Sequence, residues 1–255
     1  MEIRTVKAIR YVMPLREGGS LPAIVEGDDD GLYVLKFRGA GQGVKVLIAE
    51  LVAGEIGRAL GLKVPEIVFV ELDAALARTE PDPEIQELIK ASTGLNLALD
   101  YLPGSIMFDA LIRQPDAALA SAIVWFDALT ANVDRTARNA NMLLWHKELW
   151  LIDHGAAFFY QHNWNGFLDN AKNPFRQVKD HMLLPFAGEI EQADRELTAR
   201  LTPEALREIV SLVPDEWFDE AHEQRKVYIE FLTNRLAEKR EFVTEAINAR
   251  RALHV

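Results

Sequence analysis

The order of this 255-residue sequence predicts an α+β fold in two lobes, a β-rich first lobe with one helix and a helical second. Three observations carry that reading. Short apolar runs separated by turn formers fill residues 1–38. Apolar residues then recur at three- and four-residue steps over residues 44–60, the signature of one helix. From about Met107 onward the spacing is mostly helical, interrupted by a single short hairpin. The expected division is a nucleotide-binding β lobe over 1–98 and a helical lobe over 99–255, with residues 99–104 as the strap between them. Ligands favour clefts between such lobes.

Each element has its own local cause. Ile9-Arg10-Tyr11-Val12 predicts a first strand, Glu17-Gly18-Gly19-Ser20 a turn, and residues 21–25 a second strand. Gly27-Asp28-Asp29-Asp30-Gly31 predicts a hairpin turn, because Gly and Asp tolerate the positive φ it requires. Residues 32–37 form a third strand with Lys36 near its end. Val44, Leu47, Ile48, Leu51, Val52, Ile56, Ala59 and Leu60 lie on one helical face, and Gly61 suits a left-handed cap. Residues 65–72 read as a strand and 78–83 as a surface connection. Residues 95–102 are apolar and extended until Pro103-Gly104 stops them. An Ala-rich helix spans 117–131. Residues 142–145 and 149–152 make the hairpin, and 160–175 are irregular. Helices resume over 176–184, 187–198, 203–212 and 223–250.

Composition narrows the function. Apolar residues make up 49%, enough for a real core, and 28 basic against 39 acidic residues leave a net charge of −11. So acidic a body gains nothing by counterion release on DNA or RNA, so no direct nucleic-acid binding is expected. With no cysteine, disulfides and thiolate metal sites are excluded. The first residues lack a basic segment followed by an apolar run, and no apolar stretch approaches the ~20 residues of a membrane span. The expectation is a cytoplasmic protein without a membrane span. The six histidines show no metal spacing, and no Gly-x-Ser-x-Gly elbow or Gly-x-Gly-x-x-Gly loop occurs. Asp28-Asp29-Asp30 reads as a solvated turn and the five tryptophans as core.

The chemistry concentrates between Asn132 and Gly155. Asp134 is a loop carboxylate able to orient or deprotonate a hydroxyl. Asn139 and Asp153 flank the predicted hairpin, whose two short strands bring its ends together. One amide oxygen, one carboxylate, phosphate oxygens and water suffice for magnesium. This set can hold Mg2+ on ATP and aim a hydroxyl at the terminal phosphate. Lys36 could pair the phosphates from its strand, although lysine also commonly closes an exposed strand. Such a lysine needs a carboxylate from the following helix. Glu50, in a strip with Ala53, Gly54 and Gly57, and Glu55, inside the apolar stripe, both qualify, and periodicity does not choose. The Gly18-Gly19-Ser20 turn could cradle phosphates with its amides. His154 adjoins Asp153 and could orient it, while His181 reads as a surface or core residue.

These residues resemble a known family. Asn132-x-Asp134-x-Thr136-x-Arg138-Asn139 is similar to the Asn-x-Asp-x-His-x-Lys-Asn loop of HipA-like serine/threonine kinases, a fold distantly related to the phosphatidylinositol 3-/4-kinases. Asp153-His154-Gly155 matches the family's metal-binding Asp, and Ala59-Leu60-Gly61-Leu62-Lys63-Val64-Pro65 resembles the end of its glutamate-bearing helix. The spacing to that ending places the family's glutamate on Glu50. The resemblance implies a protein-kinase-like fold. In it Lys36, Glu50 and Ser20 serve the nucleotide, and Asp100 and Leu102 form the adenine-facing hinge. Asp134 is catalytic with Arg138 beside it, and Asn139 and Asp153 hold the metal. Thr136 and Arg138 depart from the family's His and Lys, and arginine keeps the charge but not the geometry. The chain is short for a HipA toxin, which carries an additional N-terminal subdomain used in dimeric assemblies, so antitoxin and DNA complexes are not carried over from the resemblance.

The implied activity is Mg-ATP-dependent phosphoryl transfer to a protein Ser/Thr acceptor. Transfer to a small molecule, transfer of AMP, or nucleotide binding without turnover would use the same residues. Residues 156–176 are expected to form a mobile loop near the acceptor.

Overall fold

In a computed structural model, which describes residues 2–15, 21–41, 43–237 and 239–253, five strands close into a barrel. These are β1 (Thr5–Pro14), β2 (Ala23–Gly27), β3 (Leu32–Lys36), β4 (Ile67–Leu72) and β5 (Gly94–Asp100), in the order β1-β2-β3-β5-β4. The turn between β2 and β3 forms where Gly and Asp cluster: Asp30 takes φ 61° and the Gly27 amide donates to the Gly31 carbonyl at 2.9 Å. The parallel pairing of Thr5 with Phe69 and Val6 with Val70 closes the cylinder and leaves no free edge. β4 is apolar on both faces because both are covered. Val68, Val70 and Leu72 fill the barrel, while Ile67 and Phe69 join the core outside it.

α1 (Val44–Ala59) lies between barrel and helical half, buried nearly all round. Its small residues serve close approach. A Cβ at Gly54 would come 2.5 Å from Ile67 Cδ1, and one at Gly57 would come 3.1 Å from Val64 Cγ2. A second helix, α2 (Pro83–Ala91), follows the surface connection expected over 78–83, in a stretch to which the sequence assigned no element. Asp82 caps it by accepting from the Glu84 amide, Pro83 supplies a preset φ at its start, and Ile85 and Ile89, one turn apart, close the barrel end.

The remainder is mostly helical. β6 (Ile106–Met107) pairs with β7 (Met142–Trp145), which forms the expected hairpin with β8 (Glu148–Leu151). Ile106 and Met107 are too short a run to signal a strand; pairing with β7 makes them one. α3 (Ala117–Thr130) is the central helix, against which α4 (Ile190–Thr198), α6 (Ala221–Arg235) and α7 (Glu241–Ala252) pack, while α5 (Pro203–Ser211) packs on α6 and α1. The helix expected over 223–250 is broken before Arg240, whose guanidinium turns to bond both oxygens of Asp194, which also accepts from Trp125 Nε1. The helix expected over 176–184 is only 3-10 turns. Pro185 blocks it, and the Met182 amide is committed to the Arg135 carbonyl at 3.1 Å.

Residues 159–172 are likewise a chain of 3-10 turns rather than a free loop, with Phe158 and Phe167 buried against Tyr228 and Phe231. Of the tryptophans only Trp125 and Trp217 are core; Trp145, Trp150 and Trp164 are partly exposed. No helix among the described residues is long and apolar enough to cross a membrane.

Candidate active site

Two hydrogen-bonded groups, one anchored on the barrel and one on the helical half, hold most of the singled-out residues. The first centres on Lys36 at the end of β3, which is 8% exposed. Its ammonium donates to Asp153 Oδ1 at 2.6 Å and lies 3.7 Å from Glu50 Oε2. Burial alone would lower the Lys36 pKa, but Glu50 and Asp153 outweigh it and hold the ammonium above the ordinary lysine value. Burial likewise works against ionised Glu50, which is fully enclosed; Lys36 and then His154 outweigh it and keep the carboxyl well below the usual range.

Glu55 belongs elsewhere. It pairs with Arg58 at 3.3 Å on its own helix, and burial raises its pKa. His154 does not orient Asp153: its Nδ1 faces Glu50 Oε1 at 3.3 Å, and its ring packs edge-on to Phe126. Gly155 lets α1 come this close, since a Cβ there would sit 2.5 Å from Val46 Cγ1 and 3.7 Å from Glu50 Oε2. Asp153 takes φ 56°, a left-handed conformation that Asp tolerates better than most residues.

The second group is the loop after α3. Ala131 ends the helix in a left-handed cap, and Asn132 Oδ1 accepts from the Asp134 amide at 3.2 Å. Reciprocal backbone bonds between Thr136 and Asn139, at 3.0 and 3.1 Å, tighten the tip. Asn139 Nδ2 donates to Asp134 Oδ2 at 2.7 Å, and Asn141 Nδ2 donates to the same oxygen at 3.2 Å. The amide flip of Asn139 follows from chemistry, because a carboxylate cannot donate. Among the described residues, Asp134 Oδ1 and Asn139 Oδ1 accept nothing from the protein. The hairpin ties the two groups: the Ile152 amide, next to Asp153, donates to the Asn141 carbonyl at 3.0 Å.

These are hard oxygen donors of the kind magnesium takes. Among the described residues no three His, Asp or Glu side chains converge, so a metal here would rest on Asn139 and Asp153 and complete its shell with phosphate and water.

Other singled-out residues stand apart from these bonds. Arg138 is exposed and makes no hydrogen bond or ion pair among the described residues. Ser20 and its glycine turn lie outside the described residues. Asp100 and Leu102 sit at the exit of β5. The Asp100 and Tyr101 amides are used by the Glu66 and Leu32 carbonyls, at 2.8 and 3.0 Å. Burial, then Glu66, raises the Asp100 pKa.

Sequence reasoning missed the support beneath the loop. Asp127, fully buried in α3, accepts from Asn132 Nδ2 at 2.9 Å, Arg135 Nε at 2.6 Å and His181 Nε2 at 2.9 Å. The signal was present: Asp127 is the one charged residue in an apolar helix, and a buried carboxylate demands partners. Gln161 was also missed. Its amide donates to the Lys45 carbonyl at 3.3 Å and its oxygen accepts from Tyr228, joining the start of α1 to α6.

Burial opposes ionisation of Asp127, but Arg135 and His181 outweigh it and hold its pKa far below the ordinary carboxylate value. The folded pKa is depressed, so the stability it supplies is complete above the unfolded value of about 4 and is lost as pH falls through that range. Asp127→Asn is therefore expected to flatten the acid side of the stability–pH curve below about pH 4. Urea midpoints across an acid pH series check this; an unchanged acid slope would count against it.

A five-stranded barrel with a buried lysine–glutamate pair, set on a helical half that supplies an Asp–Asn–Asp set, is a protein-kinase-like fold. Solved structures agree. The crystal structure of the Helicobacter pylori proinflammatory kinase CtkA matches with a TM-score of 0.56 at 14% identity, covering 98% of this chain and 99% of that one. The Golgi casein kinase matches with a TM-score of 0.50 at 14% identity, covering 100% of this chain and 75% of that one. No curated protein matches the sequence. The family described as HipA-like kinase matches over residues 8–245, and the chain belongs to that family. Membership places it among kinase-type phosphotransferases.

Proposed function

We propose that this chain is a Mg-ATP-dependent protein Ser/Thr kinase with nucleotide held between a first lobe over residues 1–98 and a second over 99–255. The observation that carries the proposal is the meeting of Lys36, Glu50 and Asp153, from a strand, a helix and a hairpin exit, in one ion cluster whose Lys36–Glu50 pair is buried and whose Asp153 carboxylate is partly exposed. Such a cluster has no packing rationale, because apolar replacements of buried ion pairs are often as stable. It makes sense as a phosphate site.

Lys36, oriented by Glu50, would neutralise nucleotide phosphates. Asn139 and Asp153 would hold the metal, which would supply charge neutralisation for the phosphates. Asp134 would orient the acceptor hydroxyl through Oδ1 and take its proton, with Oδ2 held by two amides. Arg138, at the exposed tip of the same loop, would offset charge on the transferring group. Asp100 and Leu102 would border the adenine, and Ser20 would serve the phosphates. Rate acceleration would come from positioning and charge, since phosphoryl transfer needs little covalent help.

The test is binding and turnover of MgATP with casein-type, lipid and small-molecule acceptors, in wild type and Asp153→Asn. Phosphate on serine or threonine, with metal-dependent binding lost in Asp153→Asn, is the expected result. Transfer of AMP, phosphorylation of small molecules only, or binding without turnover would replace the proposal. Metal-dependent binding intact in Asp153→Asn would overturn the metal assignment.

A further inference from the structure

Asp127 does not reach the reacting atoms, yet its buried carboxylate accepts from three side chains, those of Asn132, Arg135 and His181. It is the single charged residue of α3, in a segment that reads Ala-Ala-Leu-Ala-Ser-Ala-Ile-Val-Trp-Phe-Asp-Ala-Leu-Thr. Packing gives no reason for a carboxylate there, and a buried charge is costly without full compensation. Its geometry supplies the reason.

Arg135 is 1% exposed and spans two fixed points. Its Nε donates to Asp127 Oδ2, and its Nη1 donates to the Asn141 carbonyl. A guanidinium is a rigid planar fork, so it sets the separation of those points, which a lysine ammonium cannot do. Asn141, held in this way at φ 46°, turns its amide onto Asp134 Oδ2. His181 fixes the far side. Its Nδ1 accepts from the Leu183 amide at 3.0 Å, so its Nε2 carries a hydrogen and donates to Asp127. Asn132 adds a third donor to Asp127 and receives the Asp134 amide. Among the described residues, the side-chain hydrogen bonds that connect α3 to Asp134 thus run through the Asp127 carboxylate.

We propose that Asp127 is a positioning residue for phosphoryl transfer, setting the place of Asp134 through Arg135 and Asn141. The inference rests on the kinase reading for its effect on rate, while its effect on loop order stands independently of that reading.

The test compares wild type with Arg135→Lys, which keeps the buried charge and removes the fork. Turnover is expressed per MgATP-binding site, ATP KM is measured alongside, and hydrogen exchange is followed at the Thr136 and Asn139 amides, which close the loop tip. The expected result is a kcat lowered about 10- to 100-fold with ATP KM within about threefold, because a displaced Asp134 misplaces the acceptor and not the nucleotide. Exchange at the two amides should quicken while α3 and the barrel stay protected.

Should Arg135→Lys not fold, Asp127→Asn combined with Arg135→Gln removes both charges at similar volume and takes the same measurements. Unchanged exchange at both amides would overturn the inference. So would turnover falling only in step with the number of nucleotide-binding sites. Wild type that binds MgATP but transfers nothing would defeat the kinase reading instead, and the exchange comparison would still decide whether Asp127 sets the loop.

Discussion

Asp134→Asn is expected to lower kcat about 100- to 10,000-fold while leaving MgATP affinity within about threefold of wild type. The split follows from the bonds at the carboxylate. Both amides that hold Asp134, from Asn139 and Asn141, reach Oδ2, so the other oxygen is the one able to take a proton from an acceptor. An asparagine keeps the shape and places one neutral acceptor among those amides, but it has no basic oxygen. In free energy the expected loss is about 3–5 kcal/mol of transition-state stabilisation. In the proposed site nucleotide binding would rely on other atoms, those of Lys36, Asn139 and Asp153, and should survive. Steady-state rates beside calorimetric MgATP binding make the comparison. Turnover within threefold of wild type would remove Asp134 from the chemistry, and a parallel collapse of MgATP binding would make its role structural.

Lys36→Met is expected to cost both function and fold. Methionine matches the lysine stem but leaves Glu50 fully buried without its ammonium. Breaking a buried pair from one side typically costs about 3–5 kcal/mol, and His154, 3.3 Å from the other Glu50 oxygen, offers a partner that should hold the loss toward the lower figure. Glu50→Gln in the same chain should recover most of that stability, because a neutral amide needs no counter-charge. It should recover none of the transfer, which falls with loss of the phosphate-binding cation.

The pH dependence carries a sign. Wild-type Glu50 has a depressed folded pKa, so its contribution is complete above the unfolded carboxylate value of about 4 and is lost as pH falls through that range. Without Lys36 the protonated acid is favoured in the fold, so the stability gap between wild type and variant should narrow as pH drops through that range. Denaturation midpoints of the two proteins at neutral and acid pH would show it. A gap that stays constant or widens would mean that Glu50 is not paired with Lys36 in solution.

Much of the architecture was legible from local pattern. Gly27 to Gly31 announces its turn, residues 44–60 their helix, and 142–152 their hairpin, because the positive φ of a turn and the apolar period of a helix are written within a few residues. α2 was obscured by Pro81 and Pro83, which read as loop formers although Pro83 opens a helix that Asp82 caps. The 3-10 turns over 176–186 and the break before Arg240 were not legible, since distant partners decide them: the Arg135 carbonyl for Met182 and the Asp194 carboxylate for Arg240.

The candidate site divides in the same way. Sequence by itself singled out the residues proposed to carry chemistry, Lys36 with Asp134, Asn139 and Asp153, because their types and spacing follow from what a metal and a phosphate require. It left Glu50 and Glu55 open until a family resemblance chose between them. Only the tertiary structure showed Glu50 turned to Lys36 and Glu55 to Arg58, and only it revealed Asp127 beneath the loop. The reason is physical. The interior that gives these charges their strength also brings together segments as distant as those of Lys36 and Asp153, and no local period records which charge will meet which.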